Sequence, residues 1–255
     1  MKILLYDLET SPIVSFNWGV WQQNAIEVKE DWQILCFAYK WLGDRKTHVI
    51  AQNDFKGYKA GVNDDTNVVK ELHKLFEEAD VTIAHNAVGF DEKRSNARFI
   101  QRGLNPPAPH VIVDTLRVAR KRFGFTSNRL NDLGNYLGVG QKADTGGFST
   151  WKLCIAGDKR AWDKMKKYNL QDVKLLERVY LKLRSWDNNH PAGNVFDKKP
   201  DSCPKCGSKK INAGMKYRAT NTNLYQYFRC MGCGSNLKSR IAEPKTKDER
   251  VKYVS

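Results

Sequence analysis

The sequence predicts an α/β domain over residues 1–185 followed by a small metal-stapled unit at 202–240, and three observations carry that prediction. Apolar runs of strand length alternate with longer stretches of helical period up to Leu183. A segment rich in turn formers, Trp186–Asp201, then breaks the pattern with His190-Pro191, Gly193 and Pro200. Beyond it lie two paired cysteine motifs, Cys203-Pro-Lys-Cys206 and Cys230-Met-Gly-Cys233, with 23 residues (207–229) between them.

Lys2–Tyr6 is a short apolar run ending in acids and reads as a buried strand. Gln33–Trp41 and His48–Ala51 read as its sheet neighbours, the first rich in aromatic and β-branched residues. Thr66–Ala79 has helical period through Val69, Leu72, Leu75 and Phe76, with Asp65 or Thr66 as the expected cap. Val81–Ala84 is the next strand, Asp91–Arg102 a helix that Gly103 stops, and Val111–Val113 a further buried strand. Pro106, Pro107 and Pro109 keep the chain between them extended. Leu130, Leu133 and Leu137 form a short helical stripe ended by Gly138. Gln141–Thr150, with Gly146 and Gly147, reads as a loop free to move over a substrate. Arg160–Leu183 is the longest helical pattern, with Met165, Leu175, Leu176, Val179 and Leu183 as its core stripe. The domain boundary is expected in the linker 186–201, and the charged residues 241–255 are expected to form a mobile tail.

An apolar fraction of 41% over 255 residues suits a folded globular chain rather than a disordered one. No stretch approaches the roughly 18–20 consecutive apolar residues that span a bilayer. The opening MKILLYDLETSP places two acids where a secretion signal would continue its apolar run, so the cytoplasm is the expected compartment. With 43 Lys and Arg against 28 Asp and Glu, the formal charge is +15, which favours polyanionic partners, nucleic acid first. Residues 186–255 hold 14 basic against 6 acidic side chains, or +8 of that total.

The chemistry concentrates in acids at element ends. Asp7 and Glu9 lie two apart at the end of an apolar strand, so the pleat points both carboxylates to one side of the sheet. Burying two like charges without a partner costs several kcal/mol. A divalent cation removes that conflict, and Mg²⁺ takes such oxygen ligands. Asn86-Ala-Val-Gly-Phe90-Asp91 delivers another carboxylate from a strand–helix junction. Tyr168 and Asp172 lie at i, i+4, one turn apart on one face of the long helix.

Asp7-Leu8-Glu9, Asn86-x3-Phe90-Asp91 and Tyr168-x3-Asp172 match, in order, the three motifs of DEDD (DnaQ-like) 3′→5′ exonucleases. Over residues 1–185 the chain resembles the proofreading exonuclease domain of family-B DNA polymerases, here with no polymerase domain attached. Asp114-Thr115-Leu116, followed by Asn128-Arg-Leu-Asn-Asp-Leu-Gly, is also typical of that superfamily's middle region. Members divide by whether Tyr or His precedes the last acid. Position 167, where the His would stand, is Lys167, which puts this chain in the Tyr branch.

The resemblance implies a ribonuclease H-like mixed sheet flanked by helices, and two Mg²⁺ or Mn²⁺ ions. Asp7, Glu9 and Asp172 would hold one ion, and Asp7 would bridge to a second that Asp91 supports through water. Tyr168 would orient the attacking water, its ordinary pKa near 10 making it a poor base. Leu8, Thr10, Asn86 and Phe90 are the substrate contacts implied, with Asn86 also a buttress and Phe90 read first as a core residue. His85 is read first as packing at a strand end, and Asp114 and Asp132 as caps or surface acids. Lys142 and Arg160 are read as solvated charge or as contacts to substrate phosphate.

In the two CxxC knuckles, Gly207 and Gly234 relieve the turns, and four converging thiolates suit one structural Zn²⁺. The unit looks like a zinc ribbon with Asn223–Arg229 as a hairpin strand. Cys36 and Cys154 read as core residues. Around the knuckles, Lys209, Lys210, Lys216, Arg218, Arg229, Lys238 and Arg240 interleave with Tyr217, Tyr225, Tyr227 and Phe228. Capture of a nucleic-acid strand, docking of a protein, or simple stapling of the fold all fit that composition.

The function expected is release of nucleotides from single-stranded or frayed DNA 3′ ends, as a separate proofreading or repair subunit beside a DNA polymerase or another replication protein. No membrane partner is expected. An RNA 3′→5′ exonuclease is the nearest alternative, and a non-catalytic nucleic-acid-binding scaffold the alternative of another class. A compact chain of this kind also suits a virus of bacteria, in which case the compartment is the host cytoplasm.

Overall fold

The structure is a computed structural model that describes residues 1–21, 24–62, 64–143, 146–220 and 223–243. The chain divides into two compact units, Lys2–Lys182 and, with Met1, the residues from Leu183 onward.

The first unit is built on a five-stranded mixed sheet. Its strands are β1 (Ile3–Thr10), β4 (Ile34–Trp41), β5 (His48–Ala51), β6 (Val81–Ala84) and β7 (Val111–Asp114), in the order β5-β4-β1-β6-β7. The hairpin of β2 (Val14–Phe16) and β3 (Glu27–Glu30) forms a separate two-stranded ribbon. β1 is the centre: it pairs antiparallel with β4, Asp7 opposite Ala38, and parallel with β6, Ile3 beside Val81. Helices α1 (Thr66–Glu78) and α2 (Asp91–Gln101) follow in the crossovers, then α3 (Thr115–Arg122), α4 (Leu130–Tyr136), α5 (Phe148–Ile155) and α6 (Lys159–Leu183).

Alternation along β1 divides the core. Leu4, Tyr6 and Leu8 pack with Val68, Val69, Leu72 and Phe76 of α1 and with Phe99 of α2. A second cluster joins Leu35, Cys36 and Ala51 of the sheet region to Cys154, Trp162 and Met165 of α5 and α6. The helical stripe expected on α6 is buried throughout, from Met165 to Leu183.

Three local expectations change. Asp65 sits at the N-cap position of α1 but makes no side-chain cap bond. Its fully buried carboxylate instead takes Arg98 Nε at 2.7 Å, Arg102 Nη2 at 2.7 Å and the Ile34 amide at 3.1 Å, tying α1, α2 and β4 together. The loop expected over 141–150 ends early, because α5 begins at Phe148. α3 also stands where no helix is expected: Asp114 caps it by accepting from the Leu116 and Arg117 amides.

In the second unit, a three-stranded antiparallel sheet of order β10-β9-β8 comprises β8 (Ile211–Ala219), β9 (Leu224–Cys230) and β10 (Asn236–Lys238). The stretch expected as a linker, 186–201, carries the short helix α7 (Gly193–Phe196) and folds onto the first knuckle, Gly193 N–H donating to Pro204 O at 2.8 Å. Of the expected tail 241–255, residues 244–255 lie outside the described residues, as do positions 144 and 145 of the expected loop. Among the described residues no helix is long and apolar enough to cross a membrane.

Candidate active site

On β1 the odd-numbered side chains point away from the Leu4–Tyr6–Leu8 core, which aims Asp7 and Glu9 at α6. From α6, Tyr168, Asn169 and Asp172 occupy the face turned toward them, three and four residues apart. One ligand oxygen from each of Asp7, Glu9 and Asp172 lies within 4.8 Å of the others. Asp7 and Glu9 are half-buried, and Asp172 is fully buried.

One cation answers these three acids. Lys142 Nζ lies 2.5 Å from Asp172 Oδ2 and 3.0 Å from the Tyr168 hydroxyl. The Lys142 amide is itself held by Asn131 Oδ1 at 2.8 Å, so α4 places the loop that carries the lysine. Three carboxylates thus face one ammonium, an excess of acid that opposes ionisation of the set. Asp172 Oδ1 is buried with no hydrogen-bond partner. A buried acceptor without a donor is costly, and a cation bound there satisfies it. The acidic centre therefore fits a divalent ion.

The electrostatics follow. Burial, then the charge of Asp172, pushes the Asp7 carboxyl up to about 7, against the pull of Lys142 and the Asn169 amide. Burial, then Asp7, raises Glu9 well above the carboxylate range. Burial resists the charge on Lys142, but Asp172 and Asp7 outweigh it and hold the ammonium above its ordinary value. Burial, then Asp172, raises the Tyr168 phenol.

Asp91 heads α2, 2% exposed, and accepts the Leu8 amide at 3.2 Å. It stands outside the trio of acids above, and burial, then Asp7, raises its carboxyl. The Leu8 side chain lies in the core, which leaves its main chain as its link to the site. Asn86 has φ of 76°, a conformation that asparagine tolerates, and its amide donates to Asp114 Oδ1 at 3.1 Å. A Cβ on Gly89 would lie 2.4 Å from Asn86 Oδ1, so the turn closes over the asparagine only with glycine there. Phe90 is half-buried outside the core, with the Arg94 guanidinium 5.4 Å from its ring centroid. His85 is a bracing residue: Nε2–H donates to Asn128 O at 2.9 Å and Nδ1 meets the Thr115 hydroxyl at 2.9 Å.

Two clefts bear site residues. One of about 440 Å³ is walled by Thr10, Ser11, Pro12, Phe148 and Trp151. The other, about 580 Å³, is basic, with Arg120, Arg129 and Lys142 beside His85, Leu116 and Asn128.

Asn169 escaped sequence reasoning. Fully buried, its amide donates to Asp7 Oδ2 at 2.7 Å and to Asp7 O at 3.2 Å. The signal was a polar residue three positions before Asp172, on a helix face that also carries Tyr168.

In the second unit, the Sγ atoms of Cys203, Cys206, Cys230 and Cys233 all lie within 4.8 Å of one another. Cys203–Cys233 are 3.8 Å apart and Cys206–Cys230 are 3.5 Å apart. Tetrahedral bonds of about 2.3 Å to a central ion set edges of roughly 3.8 Å, whereas a disulfide is near 2.05 Å. Gly207 and Gly234 take φ of 73° and 78° and donate back to Cys203 O and Cys230 O, which is what turns each thiol pair inward. This cluster fits a metal ion.

A five-stranded mixed sheet flanked by helices, with carboxylates from its central strand and last helix, defines a ribonuclease H-like protein. Residues 26–184 match the RNase_H_2 family model of the RNase_H superfamily, and the chain belongs to that superfamily. Among solved structures it is similar to the family B DNA polymerase from the hyperthermophilic archaeon Pyrobaculum calidifontis, with 16% sequence identity and a TM-score of 0.51. The match covers 72% of this chain and 25% of that one, so the chain spans about a quarter of the polymerase's length. No curated protein matches the sequence. Fold and acidic centre together support a metal-using nuclease.

Proposed function

We propose that this chain is a metal-dependent 3′→5′ exonuclease that releases nucleotides from single-stranded or frayed DNA 3′ ends, as a proofreading or repair subunit separate from the polymerase it serves. The observation that carries the reading is the convergence of Asp7, Glu9 and Asp172 within 4.8 Å, with Asp172 Oδ1 unpartnered. Similarity of fold to a family B DNA polymerase favours DNA over RNA.

Asp7, Glu9 and Asp172 would hold Mg²⁺ or Mn²⁺, with Asp91 supporting a second ion. When bound there, such ions would supply charge neutralisation of the carboxylates, activation of water and stabilisation of the departing 3′ oxygen. Tyr168 keeps its proton, because its phenol is raised. Its oxygen accepts from Lys142, and its O–H, which also faces Asp172, would orient the attacking water. The Asn169 amide fixes the Asp7 carboxylate. Phe148 and Trp151 offer apolar surface to a terminal base, with Thr10 beside them, and Arg120 and Arg129 offer charge to phosphates. The four thiolates are best suited to one structural Zn²⁺.

The test is a time course on 5′-labelled single-stranded DNA and the matching RNA, with and without added Mg²⁺ in zinc-containing buffer. A Mg²⁺-dependent ladder shortening from the 3′ end of DNA is expected, reduced at least about 10²-fold in Asp7→Ala. A ladder on RNA alone would move the activity to RNA. Intact strands in every lane, Mn²⁺ included, would reject catalysis.

A further inference from the structure

The register of the second unit sets two tyrosines and four basic residues on one face, while Tyr217, opposite Gln226, and Phe228 lie on the other. Tyr227 on β9 lies directly between Lys216 on β8 and Lys238 on β10. Two residues away on the same strand, Tyr225 lies opposite Arg218. Opposed residues of antiparallel strands put their side chains on one side, and residues two apart share a face, so Arg229 joins the same group.

This face has two phenol rings at its middle and four cations around them, and no Asp or Glu occurs on any of the three strands. Tyr225 and Tyr227 are half-buried, while Lys216, Arg218, Arg229 and Lys238 are exposed. Lys238 Nζ lies 4.4 Å from the Tyr225 ring centroid, so that ring stands beside a cation. Phe228, Leu237 and Ile211 belong to the opposite face, where they wall a cleft with Val195 and Pro204 of the same unit. The apolar residues thus line a cleft within the unit, while the two tyrosines stand among the four cations.

Cations spaced around flat rings fit a ligand that alternates phosphates with aromatic bases. A duplex hides its base faces and could use only the charge, whereas an unpaired strand can use both. We propose that the Tyr225–Tyr227 face is a binding platform for single-stranded nucleic acid, with bases stacked on the two rings and flanking phosphates on Lys216, Arg218, Arg229 and Lys238. The platform is separate from hydrolysis and does not depend on the catalytic reading.

Fluorescence anisotropy with zinc-loaded, full-length Asp7→Ala protein and a labelled oligothymidylate of about ten nucleotides tests it. Without divalent metal for the acids, the equilibrium reads binding whether or not the wild type cleaves. Tyr225→Ser with Tyr227→Ser is expected to weaken binding about tenfold or more, and Phe at both positions to restore it. Lys216→Gln with Arg218→Gln is expected to lower the slope of log affinity against log salt by about 1.4. Zinc content per chain checks that each variant is folded, and if the serine pair loses zinc, the phenylalanine and glutamine pairs decide. Unchanged affinity in a zinc-retaining serine pair would overturn the platform, as would equal binding of duplex. Equal competition by polyglutamate would overturn it in favour of an acidic protein partner.

Discussion

Asp7 carries more of the site's physics than any other residue. Its ordinary pKa is near 3.9, and in the fold it stands at about 7. Between those values the folded protein keeps a proton that the unfolded chain releases, so this group makes stability fall as pH rises from about 4 to 7. Asp7→Asn removes that effect. Without divalent metal at pH 7.5, the Asn variant is expected to be more stable than wild type by about 4 kcal/mol, with the difference gone near pH 4. Thermal unfolding across that range checks it, and Mg²⁺ is expected to stabilise only the wild type. Asn169→Ala should release Asp7 and weaken metal affinity about 10- to 100-fold at unchanged fold, measured by Mn²⁺ titration. Asp7 and Glu9 were legible because period two and like charge are local properties. Lys142 was not, since its contact with Asp172 joins residues 30 apart through a loop, and no local pattern fixes where a loop lysine points.

At the scale of elements, burial decided what could be read. β5 and β6 match the expected strands residue for residue, because each is an apolar run between turn signals. The β2–β3 ribbon is largely exposed and offers no alternation, so nothing marked it. α3 reads TLRVARKR, too short and basic to show a stripe, and it exists because Asp114 caps it and braces the Asn86 turn together. The Asp65 carboxylate is the corresponding brace for α1 and α2. Asp65→Ala would strand Arg98, only 3% exposed, without its anion. A loss of about 3–5 kcal/mol in urea unfolding is expected, with the acids of the active centre untouched.

For the whole molecule, the two units depend on different forces. The first has a core on both faces of its sheet, while the second gathers its strands around four thiols. Removing zinc is expected to unfold the residues from Leu183 to Glu243 and leave Lys2–Lys182 folded. Limited proteolysis after chelation, read by mass, would show cuts confined to the second unit. A single loss of structure across both would contradict that division. In the sequence, the alternation of strands and helices falls within the first of these units and the paired CxxC motifs within the second. The inclusion of 186–201 in the second unit was not readable, because its hydrogen bonds there, Gly193 N–H to Pro204 O and Asn194 Nδ2 to Ser202 O, end on main-chain carbonyls that leave no pattern in the sequence.

The bond from Asn169 to Asp7 spans 162 positions of chain. At a synthesis rate of about 5–20 residues per second, the first acids leave the ribosome several seconds or more before the helix that completes their constellation. During that interval β1 and its neighbours can begin to pair, yet the nascent chain has neither Asp172 nor Tyr168 beside them. If Asp172 and Tyr168 act as proposed, the nascent chain stays inert until the last long helix has emerged.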